Sequence, residues 1–153
     1  MMTPDEAKTM HVTKHISRAE LAGDPTGVLR AVRRGETVMV EDQGRPEAAI
    51  IDPVDFQIIL AVIGYYGSRP AIDPAVGLPD SKLADLSSSS RFDVAIAYYL
   101  GKAISLGRTA EILKTSWLGL RERFARLGIP LHTAPSDLEG ARQDLLVAES
   151  TLA

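Results

Sequence analysis

Hydrophobic and polar residues follow a strand-like pattern early in the chain. His11 to Ile16 alternates polar and apolar side chains, which predicts a short strand. Thr37 to Val40 is β-branched and Glu47 to Ile51 is largely apolar, with a turn at Glu41 to Gly44 between them. That order predicts a β-hairpin.

Helix signals lie between the first strand and the hairpin. Ser17 and Glu20 have the spacing of a capping box and open a helical turn. Asp24 followed by Pro25 gives a second helix its cap and its first residue. This helix is expected to end at Gly35 and to turn three aliphatic side chains inward: Val28, Leu29 and Val32.

A third helix follows the hairpin. Asp52 and Pro53 repeat the arrangement of a cap followed by proline, and the helix is expected to run from Val54 to about Tyr66. Its apolar positions predict a buried face formed by Phe56, Ile59, Leu60 and Ile63.

The pattern changes between residues 67 and 91. This stretch contains three prolines and two glycines and ends in the serine run Ser87 to Ser90. Such a composition is typical of a flexible linker, in which pieces such as Ile72 can still dock on a neighbour. We therefore expect an α+β domain over residues 1–66, a linker over 67–91 and an all-α domain over 92–153.

The second domain has helical periodicity. A helix is expected over Phe92 to Lys102, followed by one over Leu106 to Leu113 that Ser105 caps. Ser116 caps the next helix, Trp117 to Leu127, whose apolar face is formed by Trp117, Leu120, Phe124 and Leu127.

The pair of helices around the turn at residues 114–116 has the layout of a helix-turn-helix, whose second helix enters the major groove of DNA. Charge favours this interpretation. Residues 91–128 carry seven basic and three acidic side chains, a net +4, whereas the rest of the chain carries ten and seventeen, a net −7. Such a local basic segment suits a phosphate backbone.

The predicted DNA contacts lie on or near the second helix of this pair. They are Arg108, Lys114, Ser116, Leu118, Arg121 and Arg126. The turn commonly holds glycine, which tolerates a left-handed backbone, but Lys114 occupies that place. This difference predicts another shape for the turn.

Other chemistry is not expected. The chain has no cysteine, and its three histidines are too scattered for a metal site. Asp52 and Asp55 are interpreted as a helix cap and a first-turn acid rather than as paired catalytic carboxylates. We expect a cytoplasmic protein that is not an enzyme, without catalytic residues, cofactor, metal or membrane partner.

The first half resembles the Phd/YefM antitoxin family between Val12 and Ala61. The resemblance is carried by the segments Ile16 to Leu21, Val28 to Glu36, Gly44 to Pro46 and Ala49 to Ile51. It implies a small α+β dimerisation fold in a protein that binds operator DNA and neutralises a toxin. Residues 11–51 carry six positive and six negative side chains. We therefore expect this half mainly to form a homodimer, with weakened DNA contacts.

The second half is similar to small helix-turn-helix antitoxins encoded beside PIN-domain toxins, from about Val94 to Val147. The matching segments are Leu100 to Lys102, Ile104 to Glu111, Phe124 and Leu127 to Pro130. Lys114 and the stretch Trp117 to Gly119 depart from the usual pattern, so base preference is not transferable. The resemblance implies a PIN-type nuclease as the toxin partner.

The expected function is that of a type II antitoxin and autoregulator, or repressor, that binds operator DNA and a toxin. A stand-alone transcription regulator and a protein-binding adaptor are the alternatives. Residues 129–153 carry a net charge of −3 and are expected to form a final helix, opened by a Ser136–Glu139 capping box. The predicted toxin contacts are Leu131, Leu138, Leu145 and Leu146. The linker is a competing toxin site. The alternative role of the final helix is to cap the core of its own domain.

Overall fold

The computed structural model describes residues 13–132, which form three strands, six α-helices and one short 3-10 helix. The fold class is α+β, as expected. The chain divides into two compact units, and the boundary lies between Phe56 and Gln57. The predicted end of the first domain lies ten residues later, at residue 66. The predicted toxin contacts Leu138, Leu145 and Leu146 lie outside the described residues.

The first unit begins with strand β1 (Thr13–Ser17) and helices α1 (Arg18–Gly23) and α2 (Pro25–Arg33). The hydroxyl of Ser17 accepts a hydrogen bond from the backbone N–H of Glu20, and the Asp24 carboxylate accepts one from Gly27. Both predicted caps are therefore confirmed.

Strands β2 (Thr37–Asp42) and β3 (Arg45–Ile50) form the predicted hairpin. Gln43 and Gly44 both have positive φ, of 50° and 76°, as a tight two-residue hairpin turn requires. Strand β2 lies in the centre of the sheet, antiparallel to β3 and parallel to β1. Because α1 and α2 connect the two parallel strands, they provide the crossover that such a pair needs.

An aliphatic core joins this sheet to α2. Its buried members are Ile16, Val28, Ala31, Val32, Val38 and Val40. The expectation that Leu29 points inward was wrong, because its side chain is 51% exposed while Ala31 is buried. In a nine-residue helix the positions 28, 31 and 32 form one stripe, and Leu29 lies beside it.

Helix α3 (Pro53–Ser68) follows the sheet. The Asp52 carboxylate accepts hydrogen bonds from the N–H groups of Val54 and Asp55, so this cap is also confirmed. The predicted buried face was wrong: Phe56, Leu60 and Ile63 are exposed, Ile59 is half-buried, and Ile58 and Ala61 are buried instead. The helix is apolar nearly all round, so periodicity alone does not select the side that is buried.

The second unit continues with a 3-10 helix (Asp80–Lys82) and with α4 (Ser88–Leu100), α5 (Leu106–Ile112) and α6 (Trp117–Leu127). The serine run is part of α4, because Ser87 caps the helix and Ser88 to Ser90 form its first turn. No helix within residues 13–132 is long and apolar enough to cross a membrane.

Residues 67–87 lie against α4 at several points. The Ile72 side chain occupies the space beside Gly101, where a Cβ atom would come within 2.8 Å of it. The Lys82 ammonium donates a hydrogen bond to the Tyr98 hydroxyl at 2.8 Å. The docking expected for Ile72 is therefore present, and a segment rich in proline and glycine follows a defined path over the second unit.

Candidate nucleic-acid interface

Helices α5 and α6 form a compact pair that also packs against α4. Ser105 caps α5 by accepting a hydrogen bond from Arg108, and Ser116 caps α6 by accepting one from Gly119, each at 3.0 Å. The side chains between the helices are apolar and buried: Leu106, Ala110, Ile112, Leu120 and Phe124. The two predicted helices and the short turn between them are therefore present, and Ala110 is buried in the first helix.

The turn between the two helices is tight and left-handed at Lys114, where φ is 56°. The N–H of Thr115 donates to the Ala110 carbonyl at 3.0 Å, and the N–H of Lys114 donates to the Glu111 carbonyl at 3.2 Å. These two bonds define a Schellman motif, the usual way in which a helix ends on a left-handed residue. The expectation of another turn shape was wrong, because lysine adopts the conformation that glycine commonly supplies.

Four of the six predicted DNA contacts lie together at the start of α6. Lys114, Ser116, Leu118 and Arg121 are all exposed, and Leu118 exposes 47% of its surface. Positions 118 and 121 are neighbours on a helix surface, since they are three residues apart. Leu120 and Phe124 lie on the opposite, buried side of the helix.

The amino terminus of α6 is electropositive. Its first turn contains no acidic residue, and the helix dipole adds positive potential at its free N–H groups. Lys114 and Arg121 add two positive charges close to this end, and exposed Glu122 beside Arg121 adds one negative charge. This arrangement favours an anion such as a phosphate group, which binds readily at helix N-termini.

Arg121 also contacts an aromatic ring that the sequence reasoning assigned only to the core. Its guanidinium carbon lies 5.6 Å from the centre of the Trp117 ring, one helical turn earlier. Trp117 is half-buried, and its indole N–H has no hydrogen-bond partner among the described residues. The ring restricts the Arg121 side chain to one side of the helix, and the four-residue spacing of an aromatic and an arginine was the signal for this contact.

The two remaining predicted contacts differ from these four. Arg108 is only 31% exposed and forms ion pairs with Glu111 at 2.9 Å and with Asp80 at 3.3 Å. Arg126 is half-buried and interacts within the protein. Both cations are therefore already engaged, and Asp80 is a partner that the sequence reasoning missed because it lies 28 residues away along the chain.

A buried tyrosine holds the segment after α6 in place. The Tyr99 hydroxyl donates to the Pro130 carbonyl at 2.8 Å and accepts from the His132 N–H at 3.2 Å. The His132 ring lies edge-on to Tyr99, and its Nε2 contacts the Tyr99 carbonyl at 2.6 Å. Leu131, the one described member of the predicted toxin contacts, lies between these two anchored residues and is half-buried.

Comparisons of the chain with protein-family models, with curated proteins and with solved structures found no match.

Proposed function

We propose that the protein is the antitoxin of a type II toxin–antitoxin system, which binds its operator DNA as an autoregulator and neutralises a PIN-type ribonuclease. One observation carries the DNA-binding part. The turn and start of α6 present Lys114, Ser116, Leu118 and Arg121 on one exposed, electropositive surface of a helix pair.

In this proposal α6 enters the major groove. Lys114 and Arg121 contact phosphates or guanine edges, which basic side chains recognise, and Leu118 contacts a thymine methyl group. The net charge of +4 over residues 91–128 supports the approach to DNA in a chain whose total charge is −3. Arg108 contacts DNA only when its ion pairs with Glu111 and Asp80 are broken.

The protein acts as a homodimer formed through residues 1–66. A two-fold dimer carries two copies of α6, and two such helices fit an inverted repeat in the operator. Dimerisation also stabilises the first unit, because a domain with such a small aliphatic core buries little apolar surface by itself and a second subunit would bury more.

Toxin neutralisation is assigned to residues 129–153, which carry a net charge of −3. An acidic, leucine-containing segment is complementary to a nuclease groove that is basic enough to hold RNA. Leu131 is the first of the proposed anchors, and the Tyr99 hydroxyl fixes the backbone on either side of it.

The DNA-binding part is tested by measuring the affinity of the Arg121→Ala variant for the upstream DNA over a range of salt concentrations. We expect weaker binding and a flatter salt dependence, with the slope reduced by about one unit for each subunit of the dimer. Arg69→Ala is the matched control, because Arg69 is an exposed arginine at the end of α3. Equal binding by Arg121→Ala and the parent protein would refute the assignment of α6.

The toxin part is tested by co-expression with the product of the adjacent gene. Retention of a small nuclease by the full chain, and its loss on deletion of residues 135–153, is the expected result. A chain that binds the operator but retains no neighbouring gene product is instead a stand-alone transcription regulator. Retention that survives the deletion assigns the toxin site to the linker, residues 67–91, or to residues 1–66.

A further inference from the structure

Helix α3 exposes a side that is wholly apolar or aromatic. Leu60, Ile63 and Tyr66 are 45%, 62% and 61% exposed, and their three-residue spacing places them along one side of the helix. The ring of Tyr66 packs edge-on against Tyr65, with 5.2 Å between the ring centres. Exposed aliphatic and aromatic side chains clustered in this way mark interaction surfaces.

A shallow groove lies beside this side of the helix. It has a volume of about 180 Å³ and is lined by Ile59, Val62, Ile63, Leu127 and Ile129. Ile63 therefore belongs to both features, because it lines the groove and still exposes most of its surface. We call the exposed residues 60, 63 and 66 together with this groove the α3 surface.

The α3 surface is uncharged. The sequence contains no charged residue from Gln57 to Ser68, and the two lining residues after α3, Leu127 and Ile129, are also apolar. An acidic partner, including residues 133–153 of this chain, finds no basic side chain among the residues of this surface, because the nearest ones in the sequence, Arg69 and Arg126, only flank it. A second uncharged surface of the same kind meets it without burying an unpaired charge.

We propose that the α3 surface is the interface with a second copy of this chain. A two-fold interface uses the same patch on both subunits, so the patch must contain both a projection and a depression that receives it. The Ile63 side chain is the projection and the adjoining groove is the depression. This inference rests on the homodimer in the proposed function. It places the interface on α3, within residues 1–66, and extends it to Leu127 and Ile129.

The first test is the solution mass of the full chain, measured by light scattering, for the parent protein, Ile63→Glu and Val76→Glu. The parent and the control are expected at twice the chain mass of 16.5 kDa. Val76 is a suitable control because it is an aliphatic residue that is 71% exposed and is not part of α3. Ile63→Glu should raise the dimer dissociation constant about a hundredfold or more, because two unpaired carboxylates would be buried.

The second test detects the contact between the two chains directly by cross-linking, and it does not require a substitution that breaks the dimer. The chain has no native cysteine, so Ile63→Cys and Val76→Cys each introduce a single thiol. A short bismaleimide should link two Ile63→Cys chains and should leave Val76→Cys chains unlinked. A parent protein that is monomeric at micromolar concentration overturns the inference, as does a dimer that survives Ile63→Glu and is not linked through Ile63→Cys.

The two tests separate this inference from the proposed function. A dimer that survives Ile63→Glu but still binds the operator leaves the function in place and moves the interface elsewhere. A dimer that depends on Ile63 but does not bind the operator supports the interface and refutes the function.

Discussion

The hydroxyl of Tyr99 provides a sharp test of how the second unit is held together. The residue is fully buried, and its ring packs on Phe124 with 5.0 Å between ring centres. Tyr99→Phe keeps the ring and removes only the oxygen. The variant therefore loses the hydrogen bond to the Pro130 carbonyl and the one from the His132 N–H, without creating a large cavity.

The expected cost follows from these two bonds. A hydrogen bond contributes about 1 kcal/mol to stability, and a buried group left without a partner costs about 1–3 kcal/mol. Because Pro130 is exposed, water replaces part of what its carbonyl loses. We therefore expect a loss of about 1–2 kcal/mol in the free energy of unfolding. In a unit of this size that corresponds to a fall in Tm of about 5–10 °C.

Thermal unfolding followed by circular dichroism measures this change, and the neighbouring tyrosine supplies the control. The Tyr98 hydroxyl accepts one hydrogen bond from the exposed Lys82 ammonium, so Tyr98→Phe should change the free energy by about 0.5 kcal/mol or less. Equal Tm values for Tyr99→Phe and the parent would refute the reasoning. If Leu131 anchors the toxin as proposed, Tyr99→Phe should also weaken toxin retention, whereas Tyr98→Phe should not.

Two further predictions concern charged pairs. Asp80→Asn removes one of the two acidic partners of Arg108, and it should raise operator affinity about two- to fivefold at low salt in a gel shift. An unchanged affinity would show that Arg108 does not reach the DNA. In the first unit, the hydrogen bonds that Arg18 donates hold the pKa of Glu47 below its ordinary value of 4.5. The stabilising contribution of ionised Glu47, paired with Arg18, is therefore complete above pH 4.5 and is lost as the pH falls through the lowered pKa. Glu47→Gln should therefore lose less stability than the parent protein when the free energy of unfolding is measured at decreasing pH. An equal loss of stability in the two proteins at acid pH would contradict this.

Local signals were sufficient to predict the helix starts. The side chains of Ser17, Asp24, Ser105 and Ser116 each accept a hydrogen bond from a backbone N–H three residues later. Such a cap is made within one turn of the helix, so its spacing is visible in the sequence. The hairpin turn at Gly44 was predictable for the same reason.

Burial on α3 was not predictable in this way. Twelve consecutive uncharged residues give the helix no polar side, and which of them are buried depends on what packs against it from elsewhere in the chain. The same limit applies to Asp80, whose partner Arg108 lies 28 residues away. Contacts over such separations are set by the whole fold and have no local spacing to reveal them.

At Lys114 the residue that would give the most stable turn differs from the residue that DNA binding would require. A left-handed lysine costs about 1 kcal/mol relative to glycine, although the positive charge at the end of α5 offsets part of this through the helix dipole. Lys102 ends α4 in the same conformation, with φ of 60°. The backbone conformation alone would favour glycine at both positions. At position 114, however, lysine places a positive charge at the start of α6, which glycine would not.

Replacement of each lysine by glycine should therefore give different results. Lys114→Gly and Lys102→Gly should each raise the free energy of unfolding by about 0.5 kcal/mol, after allowance for the greater freedom of glycine in the unfolded chain. Lys114→Gly should also weaken operator binding and reduce the slope of its salt dependence by about one unit for each subunit of the dimer, whereas Lys102→Gly should leave binding unchanged. Operator binding that is equal in the parent and Lys114→Gly would show that Lys114 has no contact with DNA. The preference for lysine over glycine in this turn would then have no explanation in the proposed function.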